Sequence, residues 1–204
     1  MRSSNEIGSD GLYNFISAIR VASSDAALGK GVMVVFNDEI HTARNVTKTH
    51  TSNINTFQSP NHGPLGVLTK DRVQFHNHPY RQTSFKSINH QLKVPLIKAY
   101  MGMESDLLDF YANQEIDGLV IEALGQGNLP ATCLSGLQHC LDKGIPIVLV
   151  SRSFNGIVSP VYAYEGGGFD LFEKGVIFSN GLNGPKARLK LRKIMATIII
   201  KCME

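Results

Sequence analysis

Long apolar runs are missing from this chain. The most concentrated one, Ala196–Ile200, falls far short of the roughly 18 residues that a membrane span needs. A membrane is therefore not expected as a partner. The opening MRSSNEIGSDG has no apolar h-region, so no export leader is read. As written, the chain would stay in the cytoplasm. Cysteine is scarce: Cys133, Cys140 and Cys202 form no CxxC or other metal spacing. Cys133 and Cys140 lie seven residues apart in an apolar helical pattern and are expected to be small buried hydrophobes. Charge of one sign is not concentrated anywhere. The net charge of +3 is spread along the chain, which gives no reason to expect nucleic acid.

Several chemical signatures are missing too. The sequence contains no HExxH and no GxSxG elbow, which argues against a zinc site and a serine hydrolase. Neither GxGxxG nor a Walker motif occurs, so no nucleotide cofactor is expected. The histidines, among them His41, His50, His62, His76, His78 and His90, have no ligand spacing and read as scattered surface residues. No internal repeat or low-complexity tract is visible.

What is present is ordinary for a folded α/β protein. The 204 residues are 43% hydrophobic and 18% charged, enough for one large or two small domains. Leu12, Phe15, Ile16 and Ile19 recur at helical spacing after Asp10, a candidate cap. GVMVVF (31–36) reads as a buried strand. Asn37-Asp38 reads as a turn, and Glu39–Ala43 as the returning strand. Residues 45–64 are rich in Thr, Ser and Asn and have no period. Leu65–Leu68 and Val73–Phe75 suggest a hairpin.

Residues 77–92 are polar and read as a linker. Beyond them strands at 94–99, 118–122 and 145–150 alternate with helices at 105–114 and 132–143, the latter closed by Gly144. That alternation predicts a parallel sheet with right-handed crossovers.

Three segments could carry chemistry. In Asn45-Val46-Thr47-Lys48-Thr49, a desolvated lysine beside hydroxyls can accept a proton; a solvated surface lysine fits the same spacing. Ala123–Leu129 (ALGQGNL) follows a strand, at the edge where parallel sheets bind ligands. There Gln126 and Asn128 either contact a small polar substrate or serve a capping turn. In Tyr162–Gly168 (YAYEGGG), Glu165 either binds an ammonium group or lies on a surface turn, and the glycines mark a flexible or tightly turned loop.

Taken in order, MRSSNEIGSDGLYNFISAIRVAS, GVMVVFNDEIHTARNVTKTHT, NTFQSPNHGPLG, EALGQGNLP, SPVYAYEGGG and SNGLNGPKARLKL resemble the bacterial type II L-asparaginases over residues 1–191. The resemblance implies a remnant of the amino-terminal asparaginase α/β domain (1–76), the linker (77–92), and a small Rossmann-like parallel-sheet domain (93–204). It implies hydrolysis of L-asparagine, with some activity on L-glutamine, through a threonine acyl-enzyme. Lys48 maps to the lysine of the supporting triad, Gln126 to a polar substrate contact, and Glu165 to a glutamate that reaches the substrate's amino group in a neighbouring subunit. Relatives of this type form homotetramers and are usually exported.

Two departures stand beside the match. The family's TGGTI-like nucleophile motif and its HGTDT-like motif do not occur in these 204 residues, so the resemblance implies a chain without its amino-terminal third. A catalytically inactive fragment, at most binding a small amino acid or a partner chain, is the alternative reading. The tail 191–204 also diverges, with Thr197–Ile200 placing four β-branched residues where the family has an amphipathic helix.

Overall fold

A computed structural model describes residues 1–79, 84–85 and 91–203, with side chains through residue 197. Parts of the proposed linker, including His90, lie outside the described residues, as does Glu204. The chain divides into two compact units, Met1–Thr83 and Ser84–Glu204.

In the first unit, helix α1 (Gly11–Ala22) leads to strands β1 (Met33–Phe36) and β2 (Glu39–Thr42). These pair as an antiparallel hairpin closed between Phe36 and Glu39. The closing residues Asn37 and Asp38 have φ of 51° and 63°, the left-handed pair that a two-residue hairpin turn requires and that Asn and Asp tolerate. β3 (Thr47–Lys48) and β4 (Phe57–Gln58) pair separately within the stretch that has no sequence period. β5 (Gly66–Leu68) and β6 (Val73–Phe75) join the first hairpin in a four-stranded sheet of order β1-β2-β5-β6.

The structure departs from three local expectations. Asp10 makes no side-chain cap to α1; its carboxylate binds the Met1 amino group at 2.6 Å and the Arg2 N–H at 2.8 Å. The apolar stripe of α1 faces outward, with Leu12 72% and Phe15 64% exposed, while Asn14, Ser17 and Val21 are buried. Asn14 faces inward because its Oδ1 accepts the Asn37 N–H at 2.9 Å, fixing the hairpin turn. Residues Met33–Phe36 are half-buried rather than enclosed on both faces.

The second unit is a parallel sheet of four strands, β7 (Leu96–Lys98), β8 (Leu119–Ala123), β9 (Ile147–Ser151) and β10 (Ile177–Phe178), in the order β7-β8-β9-β10. Its central runs, LVIEA and IVLVS, are buried on both faces. Leu119, Ile121, Ala123, Ile147 and Leu149 pack into one core with α2 (Asp106–Ala112) and α3 (Leu134–Asp142). A short helix, α4 (Gly168–Glu173), follows β9. The alternate residues Val120, Val148 and Val150 form a second core with Ala187 and Leu191 of α5 (Gly184–Met203). Period-two alternation inside a continuous apolar run is what a doubly covered sheet requires. Each large aliphatic side chain removed from water contributes about 1.5–3 kcal/mol.

α5 starts where the Glu122 carboxylate accepts the Gly184 N–H at 3.2 Å, favourable placement of an anion at a helix N-terminus. The helix continues through the divergent tail to Met203. Cys133 and Cys140 are fully buried. Desolvation pushes both thiols up to about 11, which keeps them protonated and chemically quiet.

Candidate active site

Lys48 is exposed at the end of β3, paired across the ladder with Phe57. The desolvation that the threonine-flanked spacing suggested is not supplied by the first unit itself. What this unit supplies is a fixed hairpin. Thr49 donates both its N–H and its hydroxyl to the Thr56 carbonyl, at 2.8 Å and 3.0 Å. Thr56, fully buried, accepts the His50 N–H at 2.9 Å and donates its hydroxyl back to the His50 carbonyl. The His50 ring accepts the N–H groups of Ser52 and Asn53. A segment that looked irregular by composition is thus closed by side-chain to backbone bonds.

His41 anchors that hairpin. It is 1% exposed, not a surface histidine, and its Nδ1 is hydrogen-bonded to Ser59 Oγ at 2.9 Å, just beyond β4. The Glu39 carboxylate lies 3.2 Å from Nε2 but outside hydrogen-bonding alignment, which leaves that nitrogen unsatisfied. Burial lowers the His41 pKa below its ordinary 6.5, and Glu39 only partly opposes the shift. No spacing signal marks this residue, because burial of a strand histidine depends on what packs over it.

A stability prediction follows from the sign of that shift. Below pH 6.5 the unfolded chain takes up a proton that the folded His41 resists, so stability falls as pH drops. Denaturant midpoints of the chain measured from pH 7.5 to 5 should decline more steeply than those of His41→Gln. Parallel declines would show that His41 is not the group responsible.

In the second unit, Gln126 and Glu165 lie on two loops that follow the carboxyl ends of β8 and β9. The first loop is closed by reciprocal bonds between Leu124 and Asn128, both 3.0 Å. Gly127 lies beneath its tip, where a Cβ would meet Leu149 and Phe178 side-chain atoms at 3.0 Å. Gln126 is exposed at the tip, and its carbonyl accepts the Ser159 N–H at 2.9 Å. Asn128 serves the fold: its Oδ1 accepts the Gly168 N–H at 3.1 Å, capping α4.

The second loop is tightly turned. Gly166 has φ of +80°, and a Cβ there would lie 2.3 Å from the Leu129 carbonyl oxygen. That approach allows the Leu129 N–H to reach the Gly166 carbonyl at 2.8 Å. The Gly166 N–H is held by Asp170 at 2.9 Å. The Asp170 pKa is lowered by Lys174, its ion-pair partner, and then by that N–H. Glu165, exposed, projects from a loop sewn directly onto the one carrying Gln126. Among the described residues no group of three or more His, Cys, Asp or Glu side chains could hold a metal ion. No described helix is long and apolar enough to cross a membrane.

An α/β unit with two paired polar loops at its sheet edge, following a unit that presents a lysine hairpin, matches two family models in order. The asparaginase amino-terminal model covers residues 1–81, and the glutaminase/asparaginase carboxy-terminal domain covers residues 93–197. The chain belongs to the asparaginase family of amidohydrolases. It is similar to an L-asparaginase of Bacillus licheniformis, 31% identical over 96% of this chain and 61% of the relative. A probable L-asparaginase of Deinococcus radiodurans is 38% identical over 94% of this chain and 59% of the relative. A glutamyl-tRNA(Gln) amidotransferase subunit of Pyrococcus furiosus is 32% identical over 95% of this chain and 46% of the relative. The chain spans about three fifths of the length of the asparaginases it matches.

Proposed function

We propose that this chain provides the lysine and the substrate-binding loops of a type II asparaginase, acting on L-asparagine with some activity on L-glutamine. The observation that carries the reading is the exposed Lys48 ammonium on a hairpin fixed by Thr56 and His41. In this role Lys48 takes the proton of a triad threonine and stabilises charge near the substrate. Gln126 hydrogen-bonds the substrate, and Glu165 meets its ammonium group in a neighbouring subunit of a homo-oligomer. Similarity to a relative named as an amidotransferase subunit fits the same reading, since amide transfer begins with release of an amide nitrogen.

The 204 residues hold neither the TGGTI-like nor the HGTDT-like motif. Lys48 alone has no nucleophile to activate, and a lysine without its partners sustains little rate. The polypeptide by itself is therefore proposed to bind without turning over.

Ammonia release from asparagine tests both parts. The purified chain should give background rates, and adding a polypeptide that bears the two threonine motifs should restore turnover. Turnover by the chain alone would sink the claim that it is silent. Failure of the complemented mixture would sink the assignment of Lys48 as part of the catalytic group.

A further inference from the structure

We infer that the pocket lined by Leu28, Gly29, Lys30, His78 and Pro79 is a binding site for a short aliphatic carboxylic acid, held by the Lys30 ammonium. None of these residues belongs to the asparagine site proposed above.

Lys30 is only 8% exposed. The backbone places it there: it stands between Gly29 and Gly31, whose φ values of +73° and +74° are suited to glycine. Its N–H donates to the Ala27 carbonyl at 3.2 Å. Burying an ammonium is costly unless it is paired. Among the described residues its side-chain partners are an imidazole nitrogen and a ring face, neither of them an anion. Lys30 Nζ lies 3.2 Å from His78 Nδ1. An ammonium only donates, so Nδ1 accepts and the imidazole carries its proton on Nε2. The Phe75 ring lies 4.8 Å from Nζ and offers its face to the cation.

Neither contact cancels the charge. Among the described residues no carboxylate lies within ion-pair distance of Lys30. In sequence, residues 80–83 and 86–90 contain no Asp or Glu. Among the described residues no carboxylate compensates the Lys30 charge, and Lys30 lines a cavity of about 420 Å³. That volume lies within the roughly 300–1,000 Å³ common for small-molecule sites. Leu28, Gly29 and His78 are exposed at its rim, so it is open to solvent.

The chemistry selects the ligand. One full charge beside a neutral imidazole matches a monoanion, whereas a phosphate dianion would leave a charge unmatched. Leu28 and Pro79 give the rest of the ligand an apolar wall, which suits a short aliphatic chain.

The test is a titration of the 204-residue chain with sodium butyrate at constant ionic strength. The signal is the imidazole resonance of His78, assigned by its loss in His78→Gln. Butanol, inorganic phosphate and added sodium chloride are separate arms. A saturable butyrate shift is expected, weakened about tenfold or more in Lys30→Met, as for loss of a charge-assisted contact, and kept in Lys30→Arg. Should Lys30→Met fail to fold, the Lys30→Arg result and the butanol arm carry the test. A shift that follows ionic strength, appears equally with butanol or phosphate, or survives in Lys30→Met would overturn the assignment. So would the absence of any butyrate response, which would leave the charge to an acidic side chain of another polypeptide.

Discussion

Replacing Lys48 with methionine is expected to lower kcat for asparagine by about 10²–10⁴-fold, the usual contribution of a positioned acid–base group. The rate is read in the chain complemented with the two threonine motifs. Methionine keeps most of the stem and removes the ammonium. Because Lys48 is exposed and the hairpin is closed by Thr49, His50 and Thr56, the unfolding midpoint should stay where it is. Lys48→Arg separates two roles. Arginine keeps the positive charge but does not give up its proton. If Lys48 accepts a proton from a threonine, the arginine variant is as slow as the methionine one. If it acts through charge alone, arginine recovers much of the rate. A complemented Lys48→Met protein with unchanged kcat would remove Lys48 from the catalytic group.

The second large effect is structural. Gly166→Ala is expected to destabilise the second unit by about 3 kcal/mol or more. About 1–2 kcal/mol comes from a left-handed φ imposed on a residue with a Cβ. The rest comes from contact with the Leu129 carbonyl oxygen, which a Cβ would approach to 2.3 Å. That oxygen is backbone and cannot swing aside. Gly144→Ala is the matched control: its φ is +72°, and nothing lies within 4 Å of a Cβ there. It should cost the conformational part only. Urea unfolding of the two variants measures the difference. Equal losses would mean that the seam between the Gln126 and Glu165 loops is not held by this approach. Because the two loops are joined at Leu129 and Gly166, Gly166→Ala should also weaken substrate binding in the complemented protein, raising KM more than it changes kcat.

Much of the second unit was legible in order. The runs around Leu119–Ala123 and Ile147–Ser151 are apolar at consecutive positions, and only a sheet covered on both faces explains that. The helices between them carried their own periodicity. The layer over the second face was not legible. α5 buries Ala187 and Leu191 against Val120, Val148 and Val150, yet its β-branched tail read as a departure from a helix. Burial of Ala187 and Leu191 and the Glu122 contact at its start fix the amino-terminal half of the helix.

The candidate site divides in the same way. Polar residues in an irregular segment and in two loops after strands marked Lys48, Gln126 and Glu165 as candidates, and the family resemblance supplied their expected roles. Asn128 was indistinguishable from Gln126 by sequence, and only the bond to Gly168 shows that it serves the fold.

The sequence by itself determined the α/β class, the first hairpins of the first unit, the strand–helix alternation of the second through Ile147–Ser151, and the segments where polar groups gather. These follow from periodicity and turn chemistry, which act over a few residues. Tertiary structure alone decided that α1 turns its apolar stripe outward, that His41 is buried against Ser59, and that Lys30 is buried where it lines a pocket. Each of these depends on which surface lies opposite a residue, and that is set by segments distant in the chain.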